Sequence, residues 1–214
     1  RLDRDRLDRE LAAAADYEQH RSLARAEMVV DRAFVGHLQA RFDASGVPFL
    51  AGFAAHYADL AKLGFVLRWT WWQANGPACE RAAGRDRTFD PALLPAGGTL
   101  GTALLTALAG EGAERVVAAL QYTPYGALLR DVAAEGGGAE DGAAWVFEKR
   151  ADDFVSAYCG VARYTPFGVE PLVAFLWFAR QEAKNVRMVA VAKRAGACAE
   201  PILGVSSFGS AYSL

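Results

Sequence analysis

Apolar residues recur at helical spacing along most of this 214-residue chain, and four long stretches carry most of the pattern. Turn chemistry separates them, in "DASGVP", in "NGP" and in "GRDRTFDPALLPAGGT". The pattern predicts long helices at about residues 7–42, 49–74, 143–161 and 169–195, with a candidate break in the first near "HRSLARAE". Shorter helices are expected at about 99–109, 112–121 and 125–135, and "EGGGAEDG" is expected to form a loop.

The composition favours helix over sheet. Apolar residues make up 53% of the chain, and Ala is the most frequent of them, ahead of Leu, Val and Phe. Ala-rich segments with few alternating runs are typical of helices, so the predicted fold class is all-α. The length allows one large domain or two small ones, each with a core of its own.

Charge and hydropathy exclude several classes of protein. The formal net charge is -2, and acids intersperse the basic residues, as in "RLDRDRLDRE", so the chain has no electrostatic footprint for nucleic acid. The longest apolar run, "PLVAFLWFA" at 171–179, is about half of the roughly 20 residues that a membrane span requires. Cys79, Cys159 and Cys198 form no close-spaced pair, which favours a reduced, cytoplasmic setting.

Two helix pairs carry similar acids. "EMVVDRAF" and "EKRADDF" each place a Glu and an Asp four residues apart, shortly before a Phe: Glu27 and Asp31, then Glu148 and Asp152. In each pair the second helix carries a further acid, Asp59 or Glu182. The matched acids are separated by 121 or 123 residues, a spacing that predicts a duplicated helical unit.

Both of these further acids fall within apolar helix surfaces. At 100° per residue, Glu182 projects inside the continuous sector formed by Leu172, Phe175, Leu176, Ala179, Ala183, Val186 and Ala190. Asp59 falls among Leu60, Leu63, Val66 and Leu67 in the same way. A carboxylate buried there needs a partner, a metal or a proton.

Two interpretations of these acids follow. One is a structural lock, in which helix N-terminal amides or an arginine such as Arg68 or Arg187 holds the carboxylate. The other is a general acid or base with a raised pKa. The structural interpretation is preferred, because the sequence places no second acid, His or nucleophile to complete a catalytic set.

Other candidate chemistry is sparse, and the sequence predicts no catalytic residue, cofactor or metal. Asp152 and Asp153 lack the third Asp of a diphosphate-binding motif, and one of the two is expected to face solvent. His20, His37 and His56 show no metal-ligand spacing. "GGTLGTALL" lacks the preceding strand and the Lys of a phosphate loop and is interpreted as a helix start, while "LRWTWW" is expected to contribute to the core.

The segment "YTPFGVEPLVAFLWFARQEAKNVRMVAVAKRAG" resembles the C subunit of the vacuolar and archaeal-type (V/A-type) rotary ATPases, equivalent to the vacuolar d subunit. That family has an aromatic-Gly-x-Glu-Pro element before a helix with a Glu-x-x-Asn-x-Arg core and a basic stretch. The matching residues are Phe167, Gly168, Glu170, Pro171, Glu182, Asn185, Arg187, Lys193 and Gly196. "ADLAKLGFVLRW" is similar to an earlier family helix through Asp59 and Arg68, although Lys62 stands where Asn is expected.

The resemblance implies a non-catalytic rotor subunit whose helical units form a funnel, with two of the family's usual three units present. It implies partners in the membrane proteolipid ring and the central shaft, and a peripheral position on the cytoplasmic face of the membrane. The expected divisions are a first helical unit at 1–84, a connection with short helices at 85–142, a second helix pair at 143–200 and a tail at 201–214. An N-terminal unit is expected to be missing, and "EPILGVSSFGSAYSL" departs from the family's basic tail, with Ile202 alone in place.

Two other functions remain open at the level of the sequence. The chain could be a small helical enzyme that uses Asp59 or Glu182, or a stand-alone helical adaptor of the same family. Turnover by the isolated chain would favour the enzyme, and failure to co-purify with ATPase subunits would favour the adaptor.

Overall fold

The structure is a computed structural model that describes residues 2–20, 23–75, 89–135 and 140–196. Over these ranges the chain forms eight α-helices and two short 3-10 helices, with no strand, which confirms the all-α prediction. The α-helices are α1 (Leu2–His20), α2 (Leu23–Ala44), α3 (Pro48–Asn75), α4 (Thr102–Leu108), α5 (Ala113–Leu120), α6 (Gly126–Glu135), α7 (Glu140–Gly160) and α8 (Glu170–Arg194). The 3-10 helices are Pro91–Leu93 and Val161–Tyr164.

The helix boundaries agree closely with the apolar pattern. The break expected near "HRSLARAE" falls on residues 21–22, which lie outside the described residues, between α1 and α2. The second long helix and the three shorter ones lie where they are predicted. The helix predicted from residue 143 instead begins at Glu140, inside the expected "EGGGAEDG" loop.

The chain divides into two compact units after Val116. In the first unit α3 packs against α2 and α4, and α2 also contacts α1 and the 3-10 helix Pro91–Leu93. The neighbouring segments cover the apolar surface of α3 completely at Leu63 and Val66, which are fully buried. This confirms the prediction that α3, apolar on both sides, is a core helix.

An arginine ties three segments of the first unit together. Arg25 on α2 donates to Asp16 on α1, with 3.0 Å between Nε and Oδ1, and to Asp90, with 2.8 Å between Nη2 and Oδ2. The other oxygen of Asp90 accepts the backbone N–H of Ala92 at 3.0 Å and so caps the 3-10 helix.

The second unit is built on α7, which packs against α6 and α8. The 3-10 helix Val161–Tyr164 contacts both α7 and α8. The fully buried Tyr125 ring, just before α6, lies 5.2 Å from the Phe154 ring on α7. Pro171 occupies the first turn of α8, where the missing N–H of proline costs nothing.

Candidate functional site

The Asp59 carboxylate binds the segment that leads into α4. Its Oδ2 accepts the backbone N–H of Thr99 at 2.8 Å and the Thr99 hydroxyl at 2.7 Å, and its Oδ1 accepts the backbone N–H of Leu100 at 2.9 Å. Asp59 is fully buried. The backbone donors lie two and three residues before Thr102, the first residue of α4, so they are loop amides and not the predicted helix N-terminal amides.

Lys62, one turn along α3 from Asp59, completes the site. Its ammonium lies 3.5 Å from Oδ1 of Asp59, and the side chain is only 2% exposed. The same ammonium donates to the carbonyl of Leu100 at 3.0 Å and to that of Gly97. Lys62 therefore neutralises the buried carboxylate and binds the same loop, roles that the sequence alone did not reveal.

The predicted arginine does not hold Asp59. The Arg68 side chain is exposed, and its Nε donates to the carbonyl of Gly64 on the same helix at 3.1 Å. Helical geometry explains the difference, because residues nine apart on a helix project about 180° apart. Lys62, three residues from Asp59, lies on the same side and can reach the carboxylate.

Two glycines let the loop approach α3. Gly97 and Gly98 adopt φ angles of 94° and 73°, a region that L-residues rarely occupy. A Cβ on Gly98 would overlap the Asp59 carboxylate, and a Cβ on Gly97 would overlap the Gln39 side chain. The backbone N–H of Gly98 also points to the Gln39 side-chain oxygen at 3.4 Å. As predicted, "GGTLGTALL" leads into a helix. The negatively charged group that its backbone binds is the carboxylate of Asp59, not a phosphate.

This geometry supports a structural lock and gives no access for a reaction. Both Asp59 oxygens accept hydrogen bonds, and neither the carboxylate nor Lys62 is open to solvent. A general acid or base must reach a substrate atom within hydrogen-bond distance. We call Asp59, Lys62 and the loop 97–100 the Asp59 lock.

A second polar contact set joins α7 to α8. The indole Nε1 of Trp177 donates to the Ser156 hydroxyl at 2.9 Å, and both side chains are buried. Asp152 accepts from the Gln181 amide at 3.2 Å and from the Lys184 ammonium. These contacts fix the register of the two helices.

Substitutions at the Ser156–Trp177 pair test this register. We expect Trp177→Phe to lower the free energy of unfolding by about 1–2 kcal/mol, because the buried hydroxyl loses its donor. Ser156→Ala should cost a similar amount, and the double variant less than the sum, with a coupling of about 1 kcal/mol. Urea unfolding of the four proteins measures this, and additive costs would contradict the hydrogen bond.

The face of α8 that is buried in the structure is not the face that the sequence predicts. Glu182 is exposed, and so are Leu172, Phe175, Leu176 and Val186 of its sector. The residues of α8 that are buried lie on the opposite side: Ala174, Trp177, Gln181, Asn185 and Ala192. The prediction that Glu182 is a buried lock is therefore wrong for this chain, because α8 has two apolar faces and α7 covers the other one.

The remaining motif residues lie at the start of α8 and on both its buried and its exposed sides. Gly168 has a φ angle of 121°, and a Cβ there would overlap the carboxylate of Glu170, the first residue of the helix. Asn185 is 5% exposed, whereas Arg187 is exposed. The aromatic residue of the motif, Phe167, is 87% exposed.

The sequence of the chain matches a known protein family. The family model described as ATP synthase (C/AC39) subunit matches residues 6–203 of the chain. The chain belongs to this family. Members of the C/AC39 family are non-catalytic rotor subunits of the V/A-type ATPases, so this chain's partners are other subunits of that complex. No curated protein sequence and no solved structure matches the chain.

Three other features of this C/AC39 chain concern metal ligands, membrane-spanning helices and the histidines. No group of three or more His, Cys, Asp and Glu side chains in the described part could hold a metal ion. In the same part, no helix has the length and apolarity to span a bilayer. His37 and His56 are half-buried, and the side chain of His20 lies outside the described set.

The predicted core residues are partly described. Cys159 is fully buried, as expected of a small apolar residue, and burial raises the pKa of its thiol to about 12. Cys79, Cys198, and the side chains of Trp71 and Trp72 lie outside the described residues. Trp69 is half-buried, with its ring 5.8 Å from that of Phe89.

Asp152 and Asp153 are both half-buried, so the expectation that one of them faces solvent is wrong.

Proposed function

We propose that this chain couples the central shaft of a V/A-type ATPase to the membrane proteolipid ring, as a non-catalytic part of the rotor. The observation that carries the proposal is the family match over residues 6–203. In this role the chain passes torque between ATP chemistry and ion movement. We place it on the cytoplasmic face of the membrane, held there through the ring.

The polar contacts within each unit support this role. A part that transmits torque must resist deformation, and buried polar pairs fix one packing arrangement where apolar contacts alone would allow sliding. In the first unit the Asp59 lock ties α3 to the start of α4. In the second unit, Ser156 and Asp152 tie α7 to α8.

The same contacts argue against the enzyme alternative. Asp59, the candidate acid that is buried, accepts three hydrogen bonds from the protein and is not exposed to solvent, so a substrate atom has no path to it. Glu182 is exposed to solvent on the surface of α8.

Co-purification of the full-length protein from its own host tests the proposal. The expected result is that proteolipid ring and central shaft subunits are recovered with it in fixed proportion. Recovery of the protein alone under conditions that preserve the rest of the ATPase would favour the stand-alone adaptor. Ligand-dependent turnover by the isolated chain would favour the enzyme.

A further inference from the structure

One face of α8 carries a regular apolar repeat that is open to solvent. The apolar residues follow one another at alternate steps of four and three positions: Leu172, Leu176, Ala179, Ala183, Val186 and Ala190. Of these, Leu172, Leu176 and Val186 are 59%, 58% and 60% exposed. Alternate steps of four and three are the spacing at which a second helix packs in a coiled coil. We call these six residues the open strip.

The open strip lies on the side of α8 that its own unit leaves uncovered. The helix α7 packs on the opposite side, where Trp177, Gln181 and Asn185 are buried. From residue 172 to residue 190 the strip extends over roughly 27 Å of helix. Since burial of apolar surface drives association, a contiguous exposed strip of this length indicates a contact site for another helix.

The two flanks of the open strip differ in charge. One flank is an exposed row of guanidinium groups seven residues apart: Arg180, Arg187 and Arg194. The matching positions on the other flank hold two apolar residues and one acid: Phe175, Val189 and Glu182. Within the part of the chain that the structure describes, no carboxylate forms an ion pair with any of the three arginines. The arginine row is therefore available to an acidic partner.

Arg180 is already held in position beside the strip. Its guanidinium carbon lies 5.4 Å from the centre of the Trp177 ring, and the Trp177 indole is itself fixed by its hydrogen bond to Ser156. A guanidinium stacked on an aromatic face keeps its N–H edge free for a carboxylate. Binding of an acid here requires little further ordering of the arginine side chain.

The flank charges argue against a second copy of this chain as the occupant. In an antiparallel pair of α8 helices a two-fold axis keeps each flank on its own side, so the two arginine rows would face each other. In a parallel pair each arginine row lies beside the other flank, where Glu182 offers one carboxylate to three guanidinium groups. A helix with a row of acids satisfies all three arginines.

We propose that the open strip binds an amphipathic helix of another protein, one with an apolar seam of the same spacing and an acidic edge. The two helices pack as a coiled coil, with the seam buried between them and the acids paired with Arg180, Arg187 and Arg194. The seam supplies affinity, and the acids fix the orientation and exclude basic partners. The inference does not depend on the proposed function, because it rests on the surface of α8.

Titration of the full chain with two designed helical peptides tests the proposal. Both peptides carry Leu at the two seam positions of each heptad, and one has Glu and the other Lys at every flank position. By fluorescence anisotropy at low ionic strength, the Glu peptide is expected to bind at least tenfold more tightly than the Lys peptide. Added salt should shrink this preference, since it screens exposed charges.

Variants of the chain locate the binding surface. Arg180→Glu with Arg187→Glu should reverse the preference between the peptides, and Leu176→Asp should weaken binding of the Glu peptide at least tenfold. The matched control is Arg32→Glu with Arg130→Glu, which changes the net charge equally at exposed positions on α2 and α6. It should leave the preference for the Glu peptide in place.

Three results would overturn the proposal. The first is equal or tighter binding of the Lys peptide, because the arginine row would then play no part. The second is a control variant that loses the preference as fully as the Arg180 and Arg187 variant does, since net charge alone would explain it. The third is failure of the Glu peptide to bind; a concentration-dependent dimer, by light scattering, would then identify a second copy as the occupant.

Discussion

Replacing Gly98 with alanine is expected to lower the free energy of unfolding of the first unit by about 3 kcal/mol or more. The new Cβ would overlap the Asp59 carboxylate, so the loop must withdraw from hydrogen bonds that a buried acid requires. The left-handed backbone adds a cost of about 1–2 kcal/mol. Urea unfolding followed by circular dichroism gives the comparison with the unmodified chain.

Gly46→Ala provides the matched control for Gly98→Ala. Gly46 has a φ angle of 68°, close to the 73° of Gly98, but apart from its own chain neighbours no heavy atom lies within 4 Å of the position of its Cβ. The control should therefore show the backbone cost alone, about 1–2 kcal/mol. Equal losses in the two variants would mean that the loop does not depend on its approach to Asp59.

The second large effect is expected for Asp59→Ala, which should lower the free energy of unfolding by about 3–5 kcal/mol. The substitution removes three hydrogen bonds and leaves the Lys62 ammonium buried without its counter-charge. Glu111→Ala removes a carboxylate from the exposed Glu111–Arg115 pair and serves as the control. Its cost should be below about 1 kcal/mol.

A double variant separates the charge from the hydrogen bonds. Asp59→Ala with Lys62→Met should be more stable than Asp59→Ala alone, because the uncompensated ammonium is gone. A double variant that is less stable than the single one would contradict the role of Lys62 as the neutralising partner. Thermal or urea unfolding of the set decides between the two outcomes.

How much of the lock could be predicted from the sequence depends on the distance between its parts. The position of Asp59 inside an apolar helix predicts a buried acid, and the structure confirms it. Its donors come from Thr99 and Leu100, some 40 residues later, and periodicity contains no information on such a pairing. The three-residue spacing between Asp59 and Lys62 is visible in the sequence, and so is the Gly97–Gly98 pair. The sequence does not show that both belong to one site around the Asp59 carboxylate.

The error at Glu182 has a different physical origin. The apolar sector on α8 was identified correctly, but a helix with two apolar faces does not reveal which one its neighbour covers. In this chain Trp177 and Gln181 face α7, and the sector with Glu182 stays open. The helix boundaries were predicted well because turn residues and the first-turn Pro171 act locally.

The measurement that tests the coupling role most directly is ATP-driven ion transport in membranes of the host depleted of this protein. We expect that transport is lost while the catalytic subunits still hydrolyse ATP, and that the full-length protein restores transport. Restoration should fail with Asp59→Ala at a temperature where the first unit of that variant is unfolded. Transport at an unchanged rate in the depleted membranes would contradict the coupling role.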